Sequence, residues 1–160
     1  MNKDSASVAP FPALHLDNQL CFSLYSLSRL VIQSYTPLLK PLDLTYPQYL
    51  VMLVLWQGLE EEGEGMAVKQ LTQSLRLDTG TVTPLLKRME AKGLLERKRS
   101  QQDERIVMVS LTVQGCQLRD KAKAIPQSLM CQSQIDSQQV IELRESLKAM
   151  MAVMGEELDE

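Results

Sequence analysis

Residues 78–105 read DTGTVTPLLKRMEAKGLLERKRSQQDER. Asp78 is of the residue type that caps a helix N-terminus, and Gly93 of the type that ends one. Between them Leu85, Leu86 and Met89 share one face, which leaves Thr79, Thr81, Thr83, Lys87 and Arg88 on the other. Pro84 sits inside this span, so the helix either begins nearer Thr81 or bends there. Beyond Gly93, Leu94–Arg99 and Ile106–Leu111 read as two strands around the polar turn Ser100–Glu104. Just upstream, Met66–Ser74 reads as a short helix with Val68, Leu71 and Leu75 inward, and Leu75-Arg76-Leu77 as the connecting turn. Two short helices joined by so short a turn, followed by a two-stranded ribbon, predict a winged helix-turn-helix.

Further out, the chain predicts only helices. Asp17 is the expected N-cap of a first helix running to about Leu39, with Pro37 and Pro41 marking its end and the following turn. This helix has two apolar stripes. Leu20, Leu24, Leu27 and Val31 form one; Cys21, Tyr25, Ser28, Ile32 and Tyr35 form the other. Two such faces predict burial on both sides, as at a dimer interface. Thr45-Tyr46-Pro47-Gln48 has the form of a capping box opening a buried helix to Gln57. The glycines and like charges of GLEEEGEG (58–65) predict a loop. Thr112 caps a helix expected to reach about Met130 with a kink at Pro126. Asp136 and Gln139 open a last helix to about Met154. Its stripe Val140, Leu143, Leu147, Met150, Met151 and Met154 has no core left to fill, which predicts pairing with helices of a second copy.

The expected fold is mainly α with a small β-wing, an α+β arrangement. Residues 1–14 form a flexible tail. Residues 15–160 form one domain, with dimerisation helices at 15–44 and 112–160 and the winged helix-turn-helix at 45–111. A chain of 160 residues is long enough for one real core. Aromatic content of 4% makes that core aliphatic. The net charge of −3 hides an uneven distribution. Glu60, Glu61, Glu62, Glu64, Glu156, Glu157, Asp159 and Glu160 carry eight negative charges, and setting them aside turns −3 into +5. Within 78–105, seven basic residues face five acidic ones. A basic face on an acidic protein is compatible with DNA contact. No apolar run approaches the ~18 residues that span a bilayer, and the first residues lack signal-peptide order. The chain is therefore expected in the cytoplasm, off the membrane, with thiols reduced. Its three cysteines (Cys21, Cys116, Cys131) are then inert or reactive residues rather than a disulfide framework. No Cys/His cluster has metal-ligand spacing, and no cofactor is implied.

The recognition segment DTGTVTPLLKRMEAKGLL, the DER of the wing and the LT–Q–G start of the next helix resemble the MarR family of bacterial regulators. NQLCFSLYSLSR, YTPLLKPLDLTYPQYLVMLVLW, LDTGTVTPLLKRME and RKRSQQDERIVMVSLT are similar to its organic-hydroperoxide-sensing repressors. The likeness covers roughly residues 14–130, and GLEEEGEG departs from it as a longer loop. It implies a homodimer on pseudo-palindromic operator DNA, with half-sites roughly 34–36 Å apart, released by an organic hydroperoxide. It also implies a repressor rather than an enzyme.

Cys21 would lie in the first turn of its helix, where oriented N–H groups favour the thiolate that attacks peroxide. The resemblance makes Tyr35 and Tyr46 donors to that sulfur from the other subunit, with Tyr25 lining the same pocket. It also implies a two-cysteine type, in which Cys131 of the partner subunit condenses with the sulfenic acid of Cys21. Cys116 is read as a spectator and His15 as a surface residue. For DNA, Thr79, Thr81 and Thr83 suit phosphates or thymine methyls, and Lys87 and Arg88 suit phosphate or guanine. By the resemblance, Arg105 enters the minor groove and Asp103 holds the wing turn. Lys98 and Arg99 would follow the backbone, with Arg97 a weaker candidate. Two alternatives stay open: a repressor of this type released by a small aromatic or anionic ligand, and a thiol peroxidase using Cys21 and Cys131. A third is a constitutive architectural DNA binder.

Overall fold

The structure, a computed structural model, describes residues 11–62, 65–133 and 135–158. Its helices are α1 (Leu20–Leu39), α2 (Tyr46–Glu62), α3 (Val68–Leu75), α4 (Thr79–Ala91), α5 (Val113–Ala122), α6 (Ile125–Ser133) and α7 (Ser137–Leu158). Strands β1 (Met66–Ala67), β2 (Leu95–Arg99) and β3 (Val107–Leu111) form one antiparallel sheet in the order β1-β3-β2. This is the mainly helical winged-helix architecture that the sequence predicts.

The core lies under the reading head. Val51, Met52, Leu55 and Trp56 of α2 meet Leu71 of α3, Val82, Leu85, Leu86 and Met89 of α4, Leu95 of β2 and Val109 of β3. The flanking helices contribute little to it. Of the twenty residues of α1 only Leu39 is buried, while Leu20, Tyr25, Leu30 and Ile32 are exposed. In α7, Leu143, Met150, Met151, Val153 and Met154 are all exposed, Met154 by 59%.

Several boundaries differ from the sequence reading, each for a local reason. The first helix starts at Leu20 with Gln19 as N-cap, because Asp17 is taken up in a 3-10 turn, Leu16–Asn18. Residues 12–14, expected in the tail, form another such turn; the Asn18 side chain donates to the Pro12 carbonyl at 2.8 Å. Pro37 lies inside α1 rather than ending it, and the Lys40 N–H bonds to the Thr36 carbonyl to close the last turn. The second helix runs on to Glu62, so the first five residues of the expected 58–65 loop are helical. The Gln57 side chain bonds Glu61 at 2.8 Å, and Arg119 pairs with Glu60, which offsets the carboxylate repulsion. Glu64 and the expected tail 1–10 lie outside the described residues.

Met66 and Ala67, expected in a helix, pair with Val109 and Met108, so the predicted two-stranded ribbon gains a third strand. The expected single helix from Thr112 to Met130 is two, broken at Lys123 and Ala124. Pro126, at the second position of α6, has no N–H for the Ala122 carbonyl, and its ring would clash there.

Candidate nucleic-acid interface and cysteine site

The turn between α3 and α4 is fixed by the backbone itself. The Arg76 N–H bonds the Gln73 carbonyl and the Leu77 N–H bonds that of Thr72, each at 3.1 Å. Arg76 closes this motif in a left-handed conformation, φ 51°, a position that favours glycine. Asp78 then caps α4. Its carboxylate accepts from the Thr81 N–H at 2.9 Å and from the Thr81 hydroxyl at 2.6 Å. These bonds hold the Asp78 carboxyl below its usual range. The helix therefore begins at Thr79, not Thr81, and runs unbroken through Pro84. At its other end the Gly93 N–H bonds the Glu90 carbonyl and the Leu94 N–H that of Met89, with Gly93 at φ 71°. Thr79, Thr81, Lys87 and Arg88 are exposed, and Thr83 is half-buried. The Thr81 hydroxyl proton is committed to the cap.

In the wing, the Arg105 N–H donates to the Asp103 carboxylate at 2.9 Å, and the Ile106 N–H to the Asp103 carbonyl. The cations there are not equivalent. Lys98 pairs with Glu96, and Arg99 donates to the Glu104 carbonyl at 2.9 Å. Arg97 turns back onto α4. Its N–H, Nε and Nη2 donate to the two oxygens of Glu90 at 2.9, 2.9 and 2.6 Å. Lys92 pairs with Asp43 at 2.9 Å. Among the described residues, the side chains of Lys87, Arg88 and Arg105 have no ion-pair or hydrogen-bond partner. Arg105 lines a groove of about 550 Å³ between α4 and the wing, with Thr79, Thr83, Leu86 and Val107 among the walls.

Cys21 is the second residue of α1 and is exposed. One turn on, Tyr25 is exposed, with its ring under the Arg29 guanidinium at 5.6 Å and its hydroxyl accepting from Arg29 at 3.2 Å. Tyr35 and Tyr46 are brought together, ring centroids 5.0 Å apart, and Tyr49 joins them at 5.7 Å from Tyr35. Burial raises all three phenols above their ordinary value, which keeps them O–H donors through the neutral range. Cys21 and Tyr35 share one helix but lie at opposite ends of it, about 21 Å apart at 1.5 Å per residue. One chain therefore does not bring the cysteine and the tyrosine pair together. Cys131 is exposed on α6, which packs on α1; Cys116 is half-buried on α5. All three cysteines are free thiols. His15 is exposed.

Two connections escape the sequence. Glu90 and Arg97 are seven residues apart, across a glycine turn, where neither helical nor strand periodicity brings side chains together. The second is a junction between the recognition helix and α5. The Thr112 hydroxyl donates to the Gly93 carbonyl at 2.6 Å and accepts from the Gly115 N–H at 3.0 Å. The Trp56 indole donates to the Gly115 carbonyl at 3.0 Å. A lone tryptophan and an LT–Q–G string give no hint that they meet.

A helix-turn-helix with a short β-wing and an outward basic face defines a DNA-binding regulator. Residues 33–125 match the family model described as "Transcriptional regulator SarA/Rot". The organic hydroperoxide resistance transcriptional regulator of Bacillus subtilis (strain 168) is 44% identical over 144 residues, covering 90% of this chain and 95% of that one. AbfR in its reduced form on DNA is 35% identical with a TM-score of 0.73, covering 87% and 94%. Disulfide-formed AbfR is 33% identical with a TM-score of 0.59, covering 91% and 93%. The chain belongs to the MarR-type family of winged-helix transcriptional regulators.

Proposed function

We propose that this chain is a cytoplasmic homodimeric repressor that senses organic hydroperoxides through Cys21 and then leaves its operator. The observation that carries this reading is the separation of Cys21 from the tyrosine pair. An exposed cysteine opens α1, and half-buried Tyr35 and Tyr46, both phenols protonated, sit at its far end. A second copy with its α1 antiparallel supplies the tyrosines of one chain to the cysteine of the other. The exposed apolar faces of α1 and α7 are the surface for that pairing. Residues 15–44 and 112–160 then serve as the dimer module and 45–111 as the reading head. The relative that resists organic hydroperoxide, and AbfR with its reduced and disulfide forms, support the oxidant as inducer.

In the chemistry, the Cys21 thiolate attacks the outer oxygen of the peroxide. The O–O bond breaks, the sulfur is oxidised to sulfenic acid, and the alkoxide leaves as the alcohol after taking a proton. Phenol O–H groups of Tyr35 and Tyr46 stabilise the thiolate, and Tyr25 lines the pocket. The Cys131 thiol of the partner subunit then displaces water from the sulfenic acid to give a disulfide. Double-stranded DNA is held by Thr79, Thr81, Thr83, Lys87 and Arg88 in the major groove. Arg105, its turn held by Asp103, enters the minor groove, and Lys98 and Arg99 run along the backbone.

The test is a gel shift on a duplex selected from a random-sequence pool by the wild-type protein. Cumene hydroperoxide should release the wild type and dithiothreitol restore it, while Cys21→Ser stays bound throughout. Peroxide-driven release of Cys21→Ser would refute the sensor. A full intersubunit disulfide band from oxidised Cys131→Ser would remove Cys131.

A further inference from the structure

We propose that Glu90 and Arg97 form a clamp that positions the wing against the recognition helix, and that Arg97 is thereby withheld from DNA phosphate. The proposal rests on the DNA-binding reading above and deepens it.

The geometry is specific. Glu90 stands in the last turn of α4, and Arg97 in the middle of β2, opposite the fully buried Val109. Only the left-handed turn at Gly93 joins the two elements in sequence. A single turn fixes where the strand starts, not its angle to the helix. The clamp supplies the second tie. One Glu90 oxygen takes the Arg97 backbone N–H, and the other takes the guanidinium fork. β2 is an edge strand, so that N–H would otherwise lack a ladder partner. Arg97 is 23% exposed and Glu90 36%, so the pair is partly withdrawn from water. The fork is a planar bidentate match, which point charges such as Lys98 on Glu96 do not reproduce. Arg105, by contrast, has no side-chain partner among the described residues and borders the same groove. The two arginines of one wing thus divide the work, since Arg97 sets the wing and Arg105 is free to read.

Glu90→Gln, Arg97→Gln and Arg97→Lys separate positioning from contact. Each full-length dimer is titrated against the selected duplex over a range of salt, after a circular-dichroism melt establishes that it is folded. If Arg97 touched phosphate, Arg97→Gln would flatten the plot of log affinity against log salt by about 0.9. Glu90→Gln, which removes a negative charge beside DNA, would then bind as well as wild type or better. The clamp predicts the reverse. Glu90→Gln and Arg97→Gln both weaken binding by roughly tenfold or more, the scale of a lost charge-assisted pair. Their salt slopes stay at the wild-type value. Arg97→Lys, which keeps the charge and loses the fork, falls between, and it carries the comparison should Arg97→Gln unfold. Undiminished binding by Glu90→Gln, or a flatter slope for Arg97→Gln, overturns the assignment. Failure of the wild-type protein to select any duplex would overturn the DNA-binding reading, and the clamp with it.

Discussion

Gly115→Ala tests the junction between the reading head and the flanking helices. A Cβ at position 115 would lie 2.0 Å from the Leu94 carbonyl oxygen and 3.1 Å from both the Leu94 carbonyl carbon and a Leu111 methyl. The obstacle is backbone, so α5 must retreat by more than an ångström. Retreat strains the Thr112 N–H bond to Leu94 at 3.2 Å, the Thr112 hydroxyl bond to Gly93, and the Trp56 indole bond to Gly115. Overpacking of this kind costs about 1–3 kcal/mol, and one weakened buried hydrogen bond adds about 1 kcal/mol. Replacing a helical glycine returns roughly 0.5–1 kcal/mol. The net expectation is a loss of about 1.5–3 kcal/mol, a fall in Tm of roughly 4–10 °C for a chain of this size. The assay is a thermal melt at fixed protein concentration, since the Tm of a dimer depends on it. Trp56, the sole tryptophan, provides a fluorescence signal from the junction itself. Gly155→Ala is the matched control, because a Cβ there meets no heavy atom within 4 Å. It should leave the Tm unchanged or raise it slightly. A Gly115→Ala protein melting within a degree of wild type would refute the close approach.

Arg105→Ala should abolish tight binding to the selected duplex while leaving the dimer folded, and undiminished affinity at fixed salt would count against the wing contact. Tyr35→Phe keeps the packing against Tyr46 and Tyr49 but removes one phenol donor. Stopped-flow oxidation of Cys21 by cumene hydroperoxide should slow by about tenfold, the scale of one hydrogen bond to a charged group; an unchanged rate would remove Tyr35 from the pocket. Asp78→Ala should lower the Tm at neutral pH through loss of the α4 cap. The Asp78 carboxyl is held below 3.8 by Thr81, so its contribution is complete above that value and lost as pH falls through the folded one. The gap between wild type and variant should therefore close in acid, and a gap constant down to the lowest measurable pH would assign the loss to something else.

The reading head is legible in the sequence because its signals are local. Gly93 stops a helix through its own backbone freedom, Asp78 caps through a side chain three residues from its partner, and Leu85, Leu86 and Met89 follow the helical period. What the sequence misplaces has a non-local cause. Met66 and Ala67 become a strand only because β3, forty residues on, offers them an edge. Glu60 and Glu61 stay helical because Arg119 and Gln57 answer their charge. Pro126 reads as a kink, yet a missing N–H and a clash at Ala122 suffice to separate two helices. For the cysteine site, the helix and the thiol are legible. The distance from Cys21 to Tyr35 becomes visible only once α1 is seen to be continuous through Pro37.

That continuity also bears on how an event at Cys21 would reach the DNA. α1 is one rigid rod whose first turn carries the thiol and whose last buries Leu39 in the core beside Tyr35 and Tyr49. Tyr49 meets Trp56 edge-on at 6.5 Å, Trp56 holds Gly115, and Thr112 holds the carbonyl of Gly93 at the end of the recognition helix. Every link in this series is a packed ring or a hydrogen bond, and none is a flexible linker. A shift of α1 against a partner chain would thus be borne by contacts that move α5 and α4 together, while the Glu90–Arg97 pair makes the wing follow the helix. The head would then move as one body. Under the proposed reading, release would come from a change in the spacing of two intact heads, rather than from unfolding of either one.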